Sequence, residues 1–147
     1  MLKRRLEPPG WAHSCTRAII TEVLQYDASP LIGCTVTRVA FDYQVRLLLA
    51  DGGYPHERVS AELVIETPIT FIDAAGTNHQ VRPGEVETVA PMLSLFQRRV
   101  VGASFGGHLL SMVFDDESVL QVATNESYES WNITGRGVYE FIEGPRA

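Results

Sequence analysis

Three consecutive carboxylates, Asp115-Asp116-Glu117, are the densest set of hard oxygen ligands in the chain, and clustered carboxylates are what a divalent cation takes. They lack the spaced acidic pattern and the glycine of a dedicated calcium loop. They also follow an apolar run, so a solvated hairpin turn accounts for them; Asp51 beside Gly52 ends an earlier run in the same way. The histidines are His13, His56, His79 and His108, and none forms a close-spaced pair with another His or Cys, so no local zinc motif exists. His79 and His108 fall in expected strand or turn positions and read as surface or satisfied histidines. Ser14, Ser104 and Ser130 lie outside any Gly-x-Ser-x-Gly elbow. No phosphate loop or dinucleotide fingerprint occurs, and no cofactor is implied. Cys34 follows Gly33 at a strand start, without the base or helix N-terminus that a reactive thiolate needs. What remains is a set of aromatic side chains suited to places with one wet and one buried end: Tyr128, Trp131 and Tyr139. Packing of Trp131 in the core is the competing structural reading. Tyr43, Arg46 and His108 join this binding set, because an internal repeat described below would bring them to the same surface.

The elements that must position these residues come in two related runs. Leu31 to Phe41, then Val45 to Leu49 and a turn at Asp51-Gly52-Gly53, is echoed by Leu95 to Phe105, Leu109 to Phe114 and a turn at Asp115-Asp116. Val36 matches Val100 and Phe41 matches Phe105 at one offset, which also sets Gln44 against His108. Leu63 to Thr67 then recurs as Leu120 to Thr124 at a shorter offset, because the first unit has a longer loop near Tyr54. Each unit reads as strand, turn, strand, turn, strand, from duplication or from shared β grammar. A single unit cannot cover its own apolar face, so the two must pack or pair together.

Around the units, residues 1–10 are basic and then proline-rich, an expected flexible arm. Trp11, Cys15, Ile19 and Val23 recur at steps of four, predicting an N-terminal helix over 11–27 stopped before Pro30. The segment 68–96 predicts connecting strands with a turn at Asp73 to Gly76, then a short central helix within Glu85 to Phe96, interrupted or begun near Pro91. The first β unit spans 31–67, and the second, with a last strand at Gly137 to Ile142, spans 97–143. The expected fold is therefore a single α+β domain over 11–147. It is mostly antiparallel β, with two related three-stranded units forming a sheet, sandwich or partly open barrel, plus an N-terminal helix and a short central helix.

Composition bounds the function. The chain has 147 residues, 18 acidic against 12 basic side chains, and a net charge of −6. Phosphate binding draws on Lys and Arg, so nucleic acid is not an expected partner. No apolar run spans a bilayer and no secretory leader is readable, so the expected site is the cytoplasm, without a membrane partner. Two cysteines are too few for a disulfide scaffold and read as small buried thiols.

Three stretches carry a resemblance: Asp42-Tyr43-Gln44-Val45-Arg46-Leu47-Leu48-Leu49 with Asp51-Gly52, Thr70-Phe71-Ile72-Asp73-Ala74-Ala75-Gly76-Thr77, and Tyr128-Glu129-Ser130-Trp131-Asn132-Ile133-Thr134-Gly135. Together they resemble an uncharacterised family of small actinobacterial proteins with one domain of unknown function. The resemblance covers roughly 31–135 and implies a β-rich cytoplasmic bacterial protein with no stated activity. The chain departs from that pattern at its N-terminal extension and in its tail, Glu143 to Ala147.

The function expected from this reading is a non-enzymatic binding or interaction protein, homodimeric or engaged with another protein. Size and acidity suit an immunity-like protein that caps a basic partner. The alternative is a small-molecule binder or small enzyme with a pocket between the two β units, for which His108, Asp42 and Tyr43 are the first residues to test.

Overall fold

A computed structural model describes residues 27–52, 57–106, 108–123 and 130–138, and the backbone of 141–143. The expected N-terminal arm and helix, Cys15, Tyr128 and Tyr139 lie outside the described residues.

Ten strands form among the described residues, and along several of them buried and solvent-facing side chains alternate, as in a half-buried sheet. In chain order they are β1 (Thr35–Phe41), β2 (Val45–Ala50), β3 (Ser60–Ile65), β4 (Ile69–Ile72), β5 (Asn78–Val81), β6 (Val100–Gly106), β7 (Leu109–Phe114), β8 (Val119–Ala123), β9 (Trp131–Arg136) and β10 (Phe141–Glu143). They form two antiparallel five-stranded sheets, one ordered β1-β2-β3-β9-β10 and the other β5-β4-β8-β7-β6. The mostly antiparallel, two-sheet architecture is the expected one. The described strands do not close into a barrel, because β5 and β10 each pair on one side only.

The repeat goes further than three strands. In the first unit β3 is followed by the β4–β5 hairpin, and in the second β8 is followed by β9 and β10. Each unit gives this last pair to the other sheet: β9 pairs with β3, and β4 pairs with β8. The registers correspond, with Ile65 opposite Trp131 and Leu63 opposite Ile133 in one sheet, and Val122 opposite Ile69 and Leu120 opposite Phe71 in the other. The result is a pseudo-two-fold domain of two interlocked units with one shared interior. Trp131, Phe71, Phe114, Leu47, Ile65 and Leu110 are among its largest fully buried side chains.

The sheets meet at a seam where the starts of β1 and β6 touch, and the pseudo-two-fold passes through the Thr35–Arg99 bridge. Gly33 N–H donates to Val100 O at 2.8 Å, and its counterpart Gln97 N–H donates to Val36 O at 2.8 Å. Val100 N–H donates to Cys34 O and Val36 N–H to Arg98 O, again as a matched pair. Each strand then carries an irregularity at the same place, between Val36 and Arg38 and between Val100 and Gly102. Such bulges bend a strand away from its neighbour, which lets it leave the seam for its own sheet. Even the backbone angles repeat: Gly33 has φ +94° and Gln97 has φ +70°. Glycine takes that region without strain and glutamine does not. Gln97→Gly is therefore expected to raise stability by about 1 kcal/mol, read as a higher urea midpoint at unchanged slope. An unchanged or lower midpoint would show that Gln97 is unstrained.

One expected equivalence is not kept. Phe41 and Phe105 do correspond, but Phe41 pairs with Val45 whereas Phe105 pairs with Leu110. Four residues therefore separate Phe105 from its partner where three separate Phe41 from its own, and the second hairpin stays paired through Gly106 and Leu109. The slip puts Val45, Leu47 and Leu49 inward in β2, and Leu110, Met112 and Phe114 inward in β7. Gln44 and His108 are consequently not equivalent, because a one-residue slip exchanges the faces of a strand.

The central helix is shorter than its apolar stripe predicts. One α-helical turn, α1 (Val86–Val89), passes into a 3-10 helix over Ala90–Leu95. Pro91 has no N–H to continue the α ladder. Met92 and Leu95 are fully buried while Leu93 and Phe96 remain exposed, so the stripe is split. A second 3-10 turn, Ser29–Leu31, precedes β1. Asp27 Oδ1 accepts the Ser29 N–H at 3.0 Å, and hydrogen bonding from Ser29 holds this carboxyl below its ordinary value. Among the described residues no helix is long and apolar enough to cross a membrane.

Candidate functional site

Two places on the described surface combine a cavity with chemically capable side chains. The first is at the tip of the β1–β2 hairpin. Asp42 N–H donates to Gln44 O at 3.0 Å, and Gln44 N–H donates to Asp42 Oδ1 at 2.7 Å, closing a three-residue turn that lifts Tyr43 outward. Tyr43 is 87% exposed. The chain returns beneath it at Gly84, where φ is +91° and the position a Cβ would take is 3.5 Å from Tyr43 Cδ1. Gly84 leads into Glu85 and α1, whose first residue, Val86, is 78% exposed. Phe41, Asp42, Gly84, Glu85, Val86 and Val89 line a cavity of about 180 Å³ there.

Arg46, an expected binding residue, braces this tip. Its Nη1 lies 3.4 Å from Glu62 Oε1, its Nε lies 4.0 Å from Asp42 Oδ2, and its Nη2 donates to Gln44 Oε1. Thr88 Oγ1 donates to Glu85 O at 2.8 Å and accepts the Arg82 N–H at 2.9 Å, which fixes the entry to α1.

The second place is a wider cleft of about 420 Å³ between the β4–β5 hairpin, the 3-10 helix and the β7–β8 turn, with Asp73, His79, Ser94 and Asp116 as its polar lining and Ala90 and Pro91 among its apolar lining. Asp73 ends β4. Its Oδ1 accepts the N–H groups of Ala75 and Thr77, both at 2.9 Å, and its Oδ2 lies 2.8 Å from His79 Nε2. An ionised carboxylate only accepts, so His79 donates from Nε2. The imidazole also stacks on Phe71, with ring centroids 6.1 Å apart. The His79 bond, and then the Thr77 N–H, hold the Asp73 carboxyl below its ordinary value of 3.8. A lowered folded value means that the stabilisation is complete above the ordinary value and disappears as pH falls through the folded one. Asp73→Asn is expected to lower the melting temperature at neutral pH, with the gap to wild type closing below about pH 3.8. A gap independent of pH would sink the assignment.

The other candidates are placed elsewhere. Trp131 is 1% exposed and belongs to the interior, packed edge-on to Phe105 with centroids 5.1 Å apart. It does not share a surface with Tyr43 and Arg46, because its side of β9 faces the opposite sheet. His108 is exposed in the β6–β7 turn at φ +67°. The acidic run forms the expected turn. Asp116 Oδ1 accepts from Ser118 N–H and Oγ at 3.0 and 2.6 Å, and Asp115 lies 3.8 Å from Arg98. Among the described residues no group of three or more metal-ligating side chains forms. Cys34 is fully buried, and burial, reinforced by Asp51 and Glu57, pushes its thiol up to about 11.

The Asp73–His79 pair was readable in principle: a hairpin that sets Ile72 opposite Asn78 makes residues 73 and 79 diagonal neighbours. Glu85 and Val86 gave no such signal, since Val86 lies three residues before Val89 and reads as part of the buried stripe.

No curated protein matches the chain. No solved structure matches it either. A family of unknown function, DUF6188, matches residues 27–147, from the start of the described fold to the last residue, and the chain belongs to that family.

Proposed function

We propose that this protein is a non-enzymatic binding module that holds another polypeptide at the hairpin-tip ledge. The observation that carries the reading is the pairing of Tyr43 and Val86. They are the two most exposed large apolar side chains described, at 87% and 78%; Val86 lines the cavity, and Tyr43 lies against Gly84, which lines it too. Tyrosine is enriched at the centres of protein interfaces, where it combines large area with few rotatable bonds. The groups suited to chemistry are meanwhile committed to structure. Asp73 serves its hairpin and His79, Ser94 Oγ donates to Pro91 O at 2.9 Å, and the Cys34 thiol is protonated at neutral pH. Under this reading the compartment is the cytoplasm, and the partner is a different protein or a second copy.

The test is photo-crosslinking from position 43 with a benzoyl-phenylalanine replacement, with Glu117 as an exposed control position. A discrete product from position 43, absent from position 117 and lost on Val86→Glu, is expected. Light-scattering mass then separates a homodimer from a complex with another protein. Equal labelling from the two positions would remove the ledge as a binding surface.

A second reading, a small-molecule binder, rests on the 420 Å³ cleft at Asp73 and His79, which falls within the usual range for small-ligand pockets. A reproducible thermal-shift rise with a small molecule, abolished by His79→Ala, would favour it.

A further inference from the structure

Resting on the binding-module reading, the geometry points to a specific occupant: we infer that the cavity beside Tyr43 receives one basic side chain, arginine or lysine, from a basic partner protein. Size is the first argument. At about 180 Å³ the cavity is below the roughly 300–1,000 Å³ of small-molecule pockets, and it suits a single long side chain. Its chemistry is the second. Phe41, Val86 and Val89 offer an apolar lining for an aliphatic stem, while Asp42 and Glu85 place carboxylates on the same lining for a cationic head. The exposed Tyr43 ring beside it adds a face that attracts a cation.

Each carboxylate has an oxygen to share; Asp42 Oδ1 holds the Gln44 N–H, and its Oδ2 is the one in question. Asp42 meets Arg46 Nε only at 4.0 Å, and Glu85 meets Arg82 Nη1 only at 3.8 Å, with all four side chains at least a third exposed. Exposed pairs at that length hold weakly and yield to a competing cation. Charge is the third argument. A chain of net charge −6 attracts a basic partner at long range and repels an acidic one or a nucleic acid.

The experiment titrates the ¹⁵N-labelled full chain with four probes: the N-acetyl amides of arginine, lysine, norleucine and glutamate. The arginine or lysine amide is expected to shift the backbone resonances of Gly84, Val86 and Val89, and added salt to reverse the effect. Norleucine amide is expected to bind about fivefold more weakly, and Glu85→Gln to weaken the cationic probe by about the same factor. Val86→Ser tests the apolar wall with a residue that is already exposed, and an unchanged melting curve shows that the variant folds. Whichever cationic amide binds more tightly identifies the side chain. Equal binding of norleucine and the cations overturns the basic class while leaving the ledge as an apolar docking surface. No shift from any probe, or shifts confined to other residues, overturns the inference. The crosslink from position 43 then decides the binding-module reading independently.

Discussion

Gly135→Ala is expected to cost about 3 kcal/mol. Gly135 sits in β9 opposite Ala61, at φ +140°. A Cβ there would lie 2.7 Å from Ala61 Cα and closer still to the Ser60 carbonyl oxygen. Both are backbone atoms of the neighbouring strand, so neither can swing aside as a flexible side chain could. Gly137 meets the Arg58 carbonyl in the same way. Gly76→Ala supplies the control, because Gly76 also has positive φ, +87°, but nothing within 4 Å of its Cβ position. That variant carries backbone strain alone, about 1 kcal/mol. Urea denaturation should therefore move the Gly135→Ala midpoint two to three times as far as the Gly76→Ala midpoint. Equal shifts would refute the close approach of β9 to β3. The contact matters because β9 is donated by the second unit to the first sheet. In the repeat the counterpart of Gly135 is Asp73, which lies beyond the last β4–β8 pair and meets no such neighbour.

Trp131→Ala is expected to destabilise by about 3–5 kcal/mol, the range for emptying a large aromatic site in a close-packed interior. Trp131 is the largest fully buried side chain, and its edge-to-face partner Phe105 belongs to the opposite sheet, with ring planes at 73°. Truncation therefore opens a cavity at the contact between the two sheets. A double-mutant cycle with Phe105→Leu should give a coupling of about 0.5–1.5 kcal/mol. A loss under 1 kcal/mol for Trp131→Ala, or no coupling, would place this ring outside the core. Tyr43→Ala is the useful contrast: the ring is exposed, so stability should hardly change while binding at the ledge is lost.

These contrasts separate scaffold from surface. The seam, the bulges and the exchanged hairpins repeat about the pseudo-two-fold, whereas the ledge belongs to one unit alone. It needs the three-residue turn that lifts Tyr43, together with the Gly84–Val89 segment. In the second unit β6 and β7 stay paired through Gly106 and Leu109, so the three-residue turn is not repeated. Two alike units are free to differ at their surface turns, because only their shared interior is constrained by packing.

Much of the framework was legible in the residues. Val36 and Val100, and Phe41 and Phe105, are matched in sequence and share their positions in the folded units. The acidic run at 115–117 forms the turn its setting implied, and Cys34 is the buried thiol expected of a small apolar residue. Other features were not legible. Alternation marks a segment as a strand and assigns its inner face, but it carries no record of which strand lies alongside. The exchange of β4–β5 and β9–β10 is therefore invisible in it, and the single extra residue between Phe105 and its partner Leu110 is enough to defeat the Gln44–His108 match. The amino-acid sequence alone determined that two similar β units, rich in inward-facing aliphatic residues, must cover each other. Only the tertiary structure decided that they do so by trading their last hairpins, which buries Trp131 and leaves Tyr43 and Val86 in water. The physical reason is that apolar burial is non-directional, so hydrophobic pattern demands a partner without naming it; backbone pairing and turn length make the choice.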